Sequence, residues 1–589
     1  MLEKFDKQNY ALTGGDFQMR KYVYLLIFIL LIFVLSLPVL ADDIELKDPW
    51  ISQKPQGKHG GTLVSSMLDN PKTFNPIMAV ETSSTDIIDY IFETLVTRNG
   101  ATTELEAELA RDWKINNDGT LYTFYLRRGL QWSDGAELTA EDVIFSFNVF
   151  QKMGLFKRWG LEKKSLEYRK LNKTTVQFEL TKPFPQFLST VMRDVYILPR
   201  HKLYDIWENG NLTRIWGKNS DLKQIVGSGP FTLVNYIPNK KVVMSKNPYY
   251  WRKDPAGKSL PYIKKWNRLI VDNLNNMKSL FEKGKTHYIS IKGENYNYFK
   301  KRANKDKYQI VNAGPTFSTN FLVFNMNSRN PDLDNTPWKY DWFTNLNFRR
   351  AVAYAMDKQT MIDEALGGFG TPQWSPISVP NKKYLNEDVK KYHYSLEKAR
   401  EELRKGGFSW NEEGQLVDKE DRIVKFKMKT NSGNTTRIKI MKIIAEKLRK
   451  LGLEVHTSSI KFNKLVNKLT QKWDFDTIFL GLTGSMEPLA SGNVWYSFSH
   501  LHMWNPRQPE PATKWEARID EIFSRAAVTV DRSERIKLFN EFQEIVSRKL
   551  PVIYTVTPDC LYAIRNNLEN IEPTAIGGVT WNIYELWLK

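Results

Sequence analysis

Cysteine is almost absent: Cys560 is the only one in 589 residues. No internal disulfide can form from it, and neither a structural zinc site nor a Cys-x-x-Cys redox pair is available. Histidine is scarce, with 7 copies, and no His-Glu-x-x-His or Gly-x-Ser-x-Gly motif occurs. Gly257-Lys258-Ser259 and Gly284-Lys285-Thr286 end like phosphate-binding loops. Arg252 and Ser279, however, stand where the glycine five positions before each Gly-Lys pair belongs. His500 and His502 would share one side of a strand, with Glu487 close in sequence, but no third and fourth metal ligand accompanies them. No metal or cofactor is therefore expected, and the missing motifs favour a binding role over an enzyme.

Long blocks of like charge are also missing. The formal charge is +19, of which residues 1–41 carry only +1, four Lys or Arg against three Asp or Glu. Basic pairs such as Lys163-Lys164, Lys240-Lys241 and Lys382-Lys383 are scattered among acids. That is the pattern of a solvated surface, and no nucleic acid partner is expected. A weak preference for acidic solutes or for an anionic membrane surface is the alternative use of the surplus charge. Internal repeats, low-complexity tracts and long linkers are lacking as well.

One long apolar run is present, Tyr22 to Leu35, preceded by Arg20 and Lys21 and followed by small residues near Ala41. These are the three regions of a secretory signal, with cleavage expected after Ala41 and a start at Met19 in place of Met1. The other reading is a retained anchor, since Tyr22 to Ala41 is 20 residues. No cysteine follows the run, so lipid attachment is not expected and the mature chain would be free in the periplasm.

Eighteen Trp and 26 Tyr exceed what a core requires, and such rings commonly line ligand clefts. Strand and helix patterns alternate along the chain, which makes it α/β. Tyr122, Phe124 and Leu126 alternate, as do Val176, Phe178 and Leu180. Thr139 to Asp142 opens a helix with Val143, Phe147 and Phe150 on one face. Ser395 caps a second helix; a third runs from about Thr435 to Lys450; a fourth starts at Asp531 and ends before Pro551.

Several ordered blocks then carry a resemblance. Trp132-Ser133-Asp134-Gly135 followed by Leu138-Thr139-Ala140-Glu141-Asp142-Val143 resembles the signature of family 5 extracellular solute-binding proteins, the oligopeptide and dipeptide receptors. Gly227-Ser228-Gly229-Pro230-Phe231 is similar to that family's glycine turn, and Asn247-Pro248-Tyr249-Tyr250-Trp251 to its Asn-Pro-x-Tyr-Trp motif. Leu260-Pro261-Tyr262-Ile263 and the segment from Asn347 to Lys358 fit too. The bottom-up meaning of these blocks is structural: Asp134-Gly135 suits a tight turn, and Gly227 and Gly229 permit close backbone approach.

The resemblance, covering about Gly60 to Tyr554, implies a two-lobe periplasmic-binding fold with a hinge and a nested third domain. Carried over by order, lobe I comprises 42–80, 196–312 and 556–589, the nested domain 81–195, and lobe II 313–555. It implies an extended solute whose backbone pairs with strand-like segments, and an Asp in a glycine-rich segment of lobe II holding the α-amino group. The segment here that resembles it is Gly481-Leu482-Thr483-Gly484-Ser485-Met486-Glu487-Pro488, with Ser485 at the position of the Asp. A serine hydroxyl cannot neutralise an ammonium group, so Glu487 either substitutes for the Asp or is an exposed loop acid. Gly481, Thr483, Ser485, Glu487 and Trp495 are the expected ligand-binding residues, Trp495 as a ring that stacks on a sugar or covers a side chain, or else packs a loop. The function implied is peptide capture and delivery to an ABC permease and its ATPase by a monomer; an oligosaccharide receptor is the runner-up, and a secreted hydrolase the reading from another class.

Overall fold

Thr139 starts its helix as expected. Its hydroxyl accepts from Glu141 N at 3.2 Å, its own N–H donates to Asp142 Oδ2 at 2.8 Å, and the helix runs Ala140–Lys152. This reciprocal cap satisfies two backbone donors that a helix start otherwise leaves open. Val143, Phe147 and Phe150 are buried, and the Phe147 ring lies 4.6 Å from that of Phe178. Phe178 belongs to an antiparallel sheet in the order Ala110–Ile115, Leu121–Leu126, Thr175–Leu180, Leu166–Asn172. Its alternating residues Tyr122, Phe124 and Leu126 face inward, as a period of two requires.

The computed structural model describes residues 48–589 apart from 80, 160 and 163. The expected signal segment and its cleavage point lie outside the described residues. Three further sheets organise the chain. The first has the order Gly60–Met67, Ile263–Ile270, Lys241–Lys246, Phe231–Ile237, with its first pair parallel. The second joins Tyr288–Ile291, Val556–Arg565 and Tyr308–Pro315, and Gly370–Pro372 adds to Val556–Arg565. The third, of 5 strands, has the order Glu454–Ile460, Lys425–Asn431, Thr477–Thr483, Ser318–Phe324, Val552–Tyr554.

Helices Leu396–Lys405, Thr435–Arg449 and Arg532–Lys549 occupy the expected places. Ser395 and Asp531 cap the first and last by accepting from Lys398 N and Glu534 N. Two large apolar cores result. One draws on residues 63–270 and 564–586, the other on 321–556. The chain passes between the second and third sheets twice, from Pro315 to Ser318 and from Tyr554 to Val556. The two passages are tied together by Thr316 N to Pro558 O and Thr555 N to Asn320 O, each 2.9 Å.

The glycine turn has a positioning role. Gly229 N donates to Ile91 O at 2.9 Å, and a β-carbon at Gly227 would sit 1.9 Å from that same oxygen. Only glycine allows this approach. It clamps Tyr90-Ile91, directly after the helix Thr82–Ile88, against the strand that begins at Phe231.

Candidate ligand-binding site

The glycine-rich segment of the second core begins on the strand Thr477–Thr483. Gly481 pairs with Asn320, and a β-carbon there would lie 2.5 Å from Arg437 Nη2 and from Asn320 Oδ1. Gly484 donates its N–H to Phe317 O at 2.8 Å, and a β-carbon there would lie 2.0 Å from Ser378 Oγ. The space beside both glycines is thus filled by the protein itself. Thr483 and Ser485 are exposed. Ser485 Oγ accepts from Glu487 N at 3.2 Å, and Asn381 Nδ2 donates to the carbonyls of Ser485 and Met486.

Glu487 is half-buried, not an exposed loop acid, and its Oε2 accepts from the hydroxyl of buried Tyr384 at 3.1 Å. Burial first, and then the Glu487 charge, push the Tyr384 hydroxyl above its ordinary pKa. The same carboxylate acts on Arg98 across the molecule: burial and Arg193 lower the Arg98 guanidinium, and Glu487 and Glu104 oppose them.

Trp495 requires a correction. It is 3% exposed, packed edge-on against Phe542 at 4.7 Å and beside Trp504 at 5.5 Å. Its ring fills the core, so no face is left for a sugar or side chain. The histidine pair is corrected as well, because the segment forms turns in place of a strand. His500 is exposed, while His502 is buried with Nδ1 3.1 Å from Val494 O and Nε2 3.2 Å from Glu516 Oε1. Burial pushes the Glu516 carboxyl up, but hydrogen bonds from His502, Gln508, Thr513 and Trp504 outweigh it and hold the group at about 2. Among the described residues no group of three or more His, Cys, Asp or Glu is placed to hold a metal.

A cavity of about 550 Å³ lies against the other core. One face of the helix Thr82–Ile88 and its C-cap supply Thr85, Asp86 and Asp89, while the hairpin Val96–Arg98 with Leu105–Ala107 supplies Arg98 and Glu106. Tyr196, Arg252 and the C-terminal segment with Trp581 and Tyr584 complete the wall. Six acids face it, namely Asp86, Asp89, Glu93, Glu106, Glu108 and Asp194, against the three arginines Arg98, Arg193 and Arg252.

The floor is crowded with charge. Arg252 is 5% exposed, stacks 4.0 Å from the Tyr584 ring, and has Glu108 Oε1 4.0 Å from its Nη2. Glu93 accepts from Trp251 Nε1 at 3.0 Å, and burial followed by the Glu108 charge pushes its carboxyl well above the usual range. Two buried carboxylates near one guanidinium cannot both ionise cheaply, and burial with the Glu108 charge favours the protonated form of Glu93. The hairpin tip meets the second core: Lys383 Nζ lies 2.7 Å from Glu104 and donates to Thr103 O at 3.3 Å, and Arg532 lies 3.6 Å from Glu104.

Sequence reasoning passed over this cavity although a signal existed. Between 81 and 108 seven acids stand against one cation, Arg98, in a chain whose net charge is +19.

Comparison with known proteins agrees with this architecture. A probable ABC transporter-binding protein of Deinococcus radiodurans is 27% identical over 531 residues, spanning 86% of this chain and 88% of the relative. The oligopeptide-binding protein AppA of Bacillus subtilis is 23% identical, covering 91% of this chain and 92% of its own length. Its structure in complex with a nonapeptide superposes with a TM-score of 0.65 over 91% of this chain and 100% of that one. The substrate-binding protein CtaP of Listeria monocytogenes, 20% identical, gives a TM-score of 0.73 over 90% of this chain and 100% of its own. The fold is therefore the multi-domain α/β periplasmic-binding fold. Since residues 104–502 match the family described as bacterial extracellular solute-binding proteins, family 5 Middle, the chain belongs to family 5 of the extracellular solute-binding proteins of ABC transporters.

Proposed function

We propose that the protein captures extended oligopeptides between its two cores and delivers them to a membrane permease with its ATPase. The observation that carries this reading is the 550 Å³ cavity whose hairpin wall is clasped, through Glu104, by Lys383 and Arg532 of the second core. A solute in the cavity lies beneath the hairpin, so opening the clasp admits it and closing retains it. In this reading lobe I comprises 42–80, 196–312 and 556–589, the nested domain 81–195, and lobe II 313–555. The paired passages Pro315 to Ser318 and Tyr554 to Val556 serve as the hinge.

On the lobe II side, Gly481, Thr483, Ser485 and Glu487 form the facing wall. The ladder between Lys425–Asn431 and Thr477–Thr483 registers only Thr477 and Ile478, so the later residues of that strand have one paired edge. A free strand edge is where an extended peptide backbone can add its hydrogen bonds. The peptide-binding relative AppA supports the same choice. The sugar reading loses the stacking ring it needed, because Trp495 is core. The protein acts as a monomer, free in the periplasm after removal of its signal, and performs no catalysis; among the described residues no helix is long and apolar enough to cross a membrane.

Mass spectrometry of solutes carried through purification from the native host tests the proposal. Peptides of several residues are expected; a co-purified oligosaccharide, or hydrolysis of added peptides, would overturn it.

A further inference from the structure

Asp89 is a carboxylate without a cation. It is the C-cap of the helix Thr82–Ile88, a helix end at which a positive group is favoured. Its neighbour Asp86 lines the same cavity and has Arg268 Nη2 at 3.3 Å. Arg193, also on the wall, pairs with Asp194 at 3.3 Å. Asp89 has only the neutral hydroxyl of Tyr196, which donates to its Oδ1. Among the described residues no Lys or Arg is placed within ion-pair distance of this group.

The surroundings make the omission costly. The side chain is open to the cavity yet enclosed by protein, and that enclosure pushes its carboxyl up to about 6. The Tyr196 hydrogen bond opposes the shift; among the charges that face the group, Asp86 and Glu108 push it further up and Arg193 pulls it down. An unpaired carboxylate open to a cavity is stabilised by a cation that enters it. The lining has six acids against three arginines, although burial pushes the carboxyls of Glu93 and Glu108 up and so weakens their share of the negative charge. In the glycine-rich segment of the second core, Ser485 Oγ is bonded to the backbone of Glu487, and Glu487 is occupied by Tyr384.

We infer that Asp89, supported by the Tyr196 hydroxyl, receives a primary ammonium group of the solute. The inference rests on the reading of this cavity as the solute site. An ammonium on either the α-amino terminus or a lysine side chain satisfies the chemistry, since both present three N–H donors and one charge.

The test uses four probes with the full-length mature protein by titration calorimetry: tri-alanine, N-acetyl-tri-alanine, N-acetyl-tri-lysine and cadaverine. Binding of tri-alanine but not its acetylated form assigns the α-amino group, and binding of N-acetyl-tri-lysine assigns the side chain. In either case Asp89→Asn is expected to weaken the cationic probes about 30-fold or more, the scale for removing one member of a desolvated charge pair. Tyr196→Phe should weaken them less, and the wild-type affinity should fall as pH drops through about 6, a dependence lost in Asp89→Asn. Circular dichroism confirms that both variants are folded. Asp89-dependent binding of cadaverine without any peptide binding would sustain the inference and sink the peptide reading. Peptide binding indifferent to Asp89→Asn would do the reverse, and a folded wild type that binds no ammonium probe overturns the inference.

Discussion

The glycine-rich segment Gly481 to Pro488 and the acid-lined wall from Thr85 to Glu108 belong to different cores, and they are built on opposite principles. The first is a backbone device: a β-carbon added at Gly484 or Gly481 would lie 2.0 or 2.5 Å from neighbouring atoms, and its acid accepts a hydrogen bond from Tyr384. The second is an electrostatic device, in which Asp89 and Glu93 are left without cation partners in hydrogen-bonding range. Substitutions in the first should therefore be felt in folding, and substitutions in the second in binding and pH dependence.

The largest effect expected is at Trp495, which flanks the glycine segment. Trp495→Ala should cost about 3–5 kcal/mol in urea unfolding, as for other large aromatic cores, with ligand affinity of the folded fraction unchanged. An affinity loss at intact stability would return Trp495 to the site.

Gly484→Ala comes next, at about 1–3 kcal/mol, because the added methyl meets Phe317 O as well as Ser378 Oγ. Asp89→Asn, measured the same way, should leave stability nearly unchanged or slightly raised. If the two variants exchanged these outcomes, the contrast between the walls would collapse.

A smaller and pH-dependent effect belongs to Glu93. Its carboxyl pKa is raised in the folded protein, so the folded state holds a proton that the unfolded chain has already released. Stability from this group is therefore full at low pH and declines as pH rises from the ordinary carboxylate range towards the raised value. Glu93→Gln should flatten that decline, removing a slope of up to about 1.4 kcal/mol per pH unit. Thermal melts of both proteins between pH 5 and 9, chosen to span roughly that window, would show it; parallel curves would place Glu93 in its ordinary range.

Glu487→Gln should cost about 1 kcal/mol in urea unfolding, since the amide oxygen can still accept from Tyr384. A large loss of peptide affinity in this variant, with Asp89→Asn silent, would move the ammonium to the loop.

Much of the fold was legible before any coordinates. Thr139, Ser395 and Asp531 cap helices because their side-chain oxygens stand two or three residues before an open N–H, a purely local relation. Tyr122, Phe124 and Leu126 form a strand because their spacing alone sets the face they bury. The Gly227 motif was legible as a close approach, though not what it approaches. The site was less so. Trp495 lies in a polar, proline-bounded stretch that reads like a loop, and Phe542 of the helix Arg532–Lys549, against which it packs, is distant in sequence. The acids between 81 and 108 were visible as a local reversal of the chain's charge.

By itself the sequence determined the α/β alternation, the caps and the family motifs, since each depends on residues within a few positions of one another. Only the tertiary structure decided which groups lack partners. Asp86 finds Arg268 and Asp194 finds Arg193, while Asp89 finds only Tyr196. Whether a carboxylate is neutralised depends on charges brought within a few ångströms by folding and on the water removed around it, and neither is encoded by spacing along the chain.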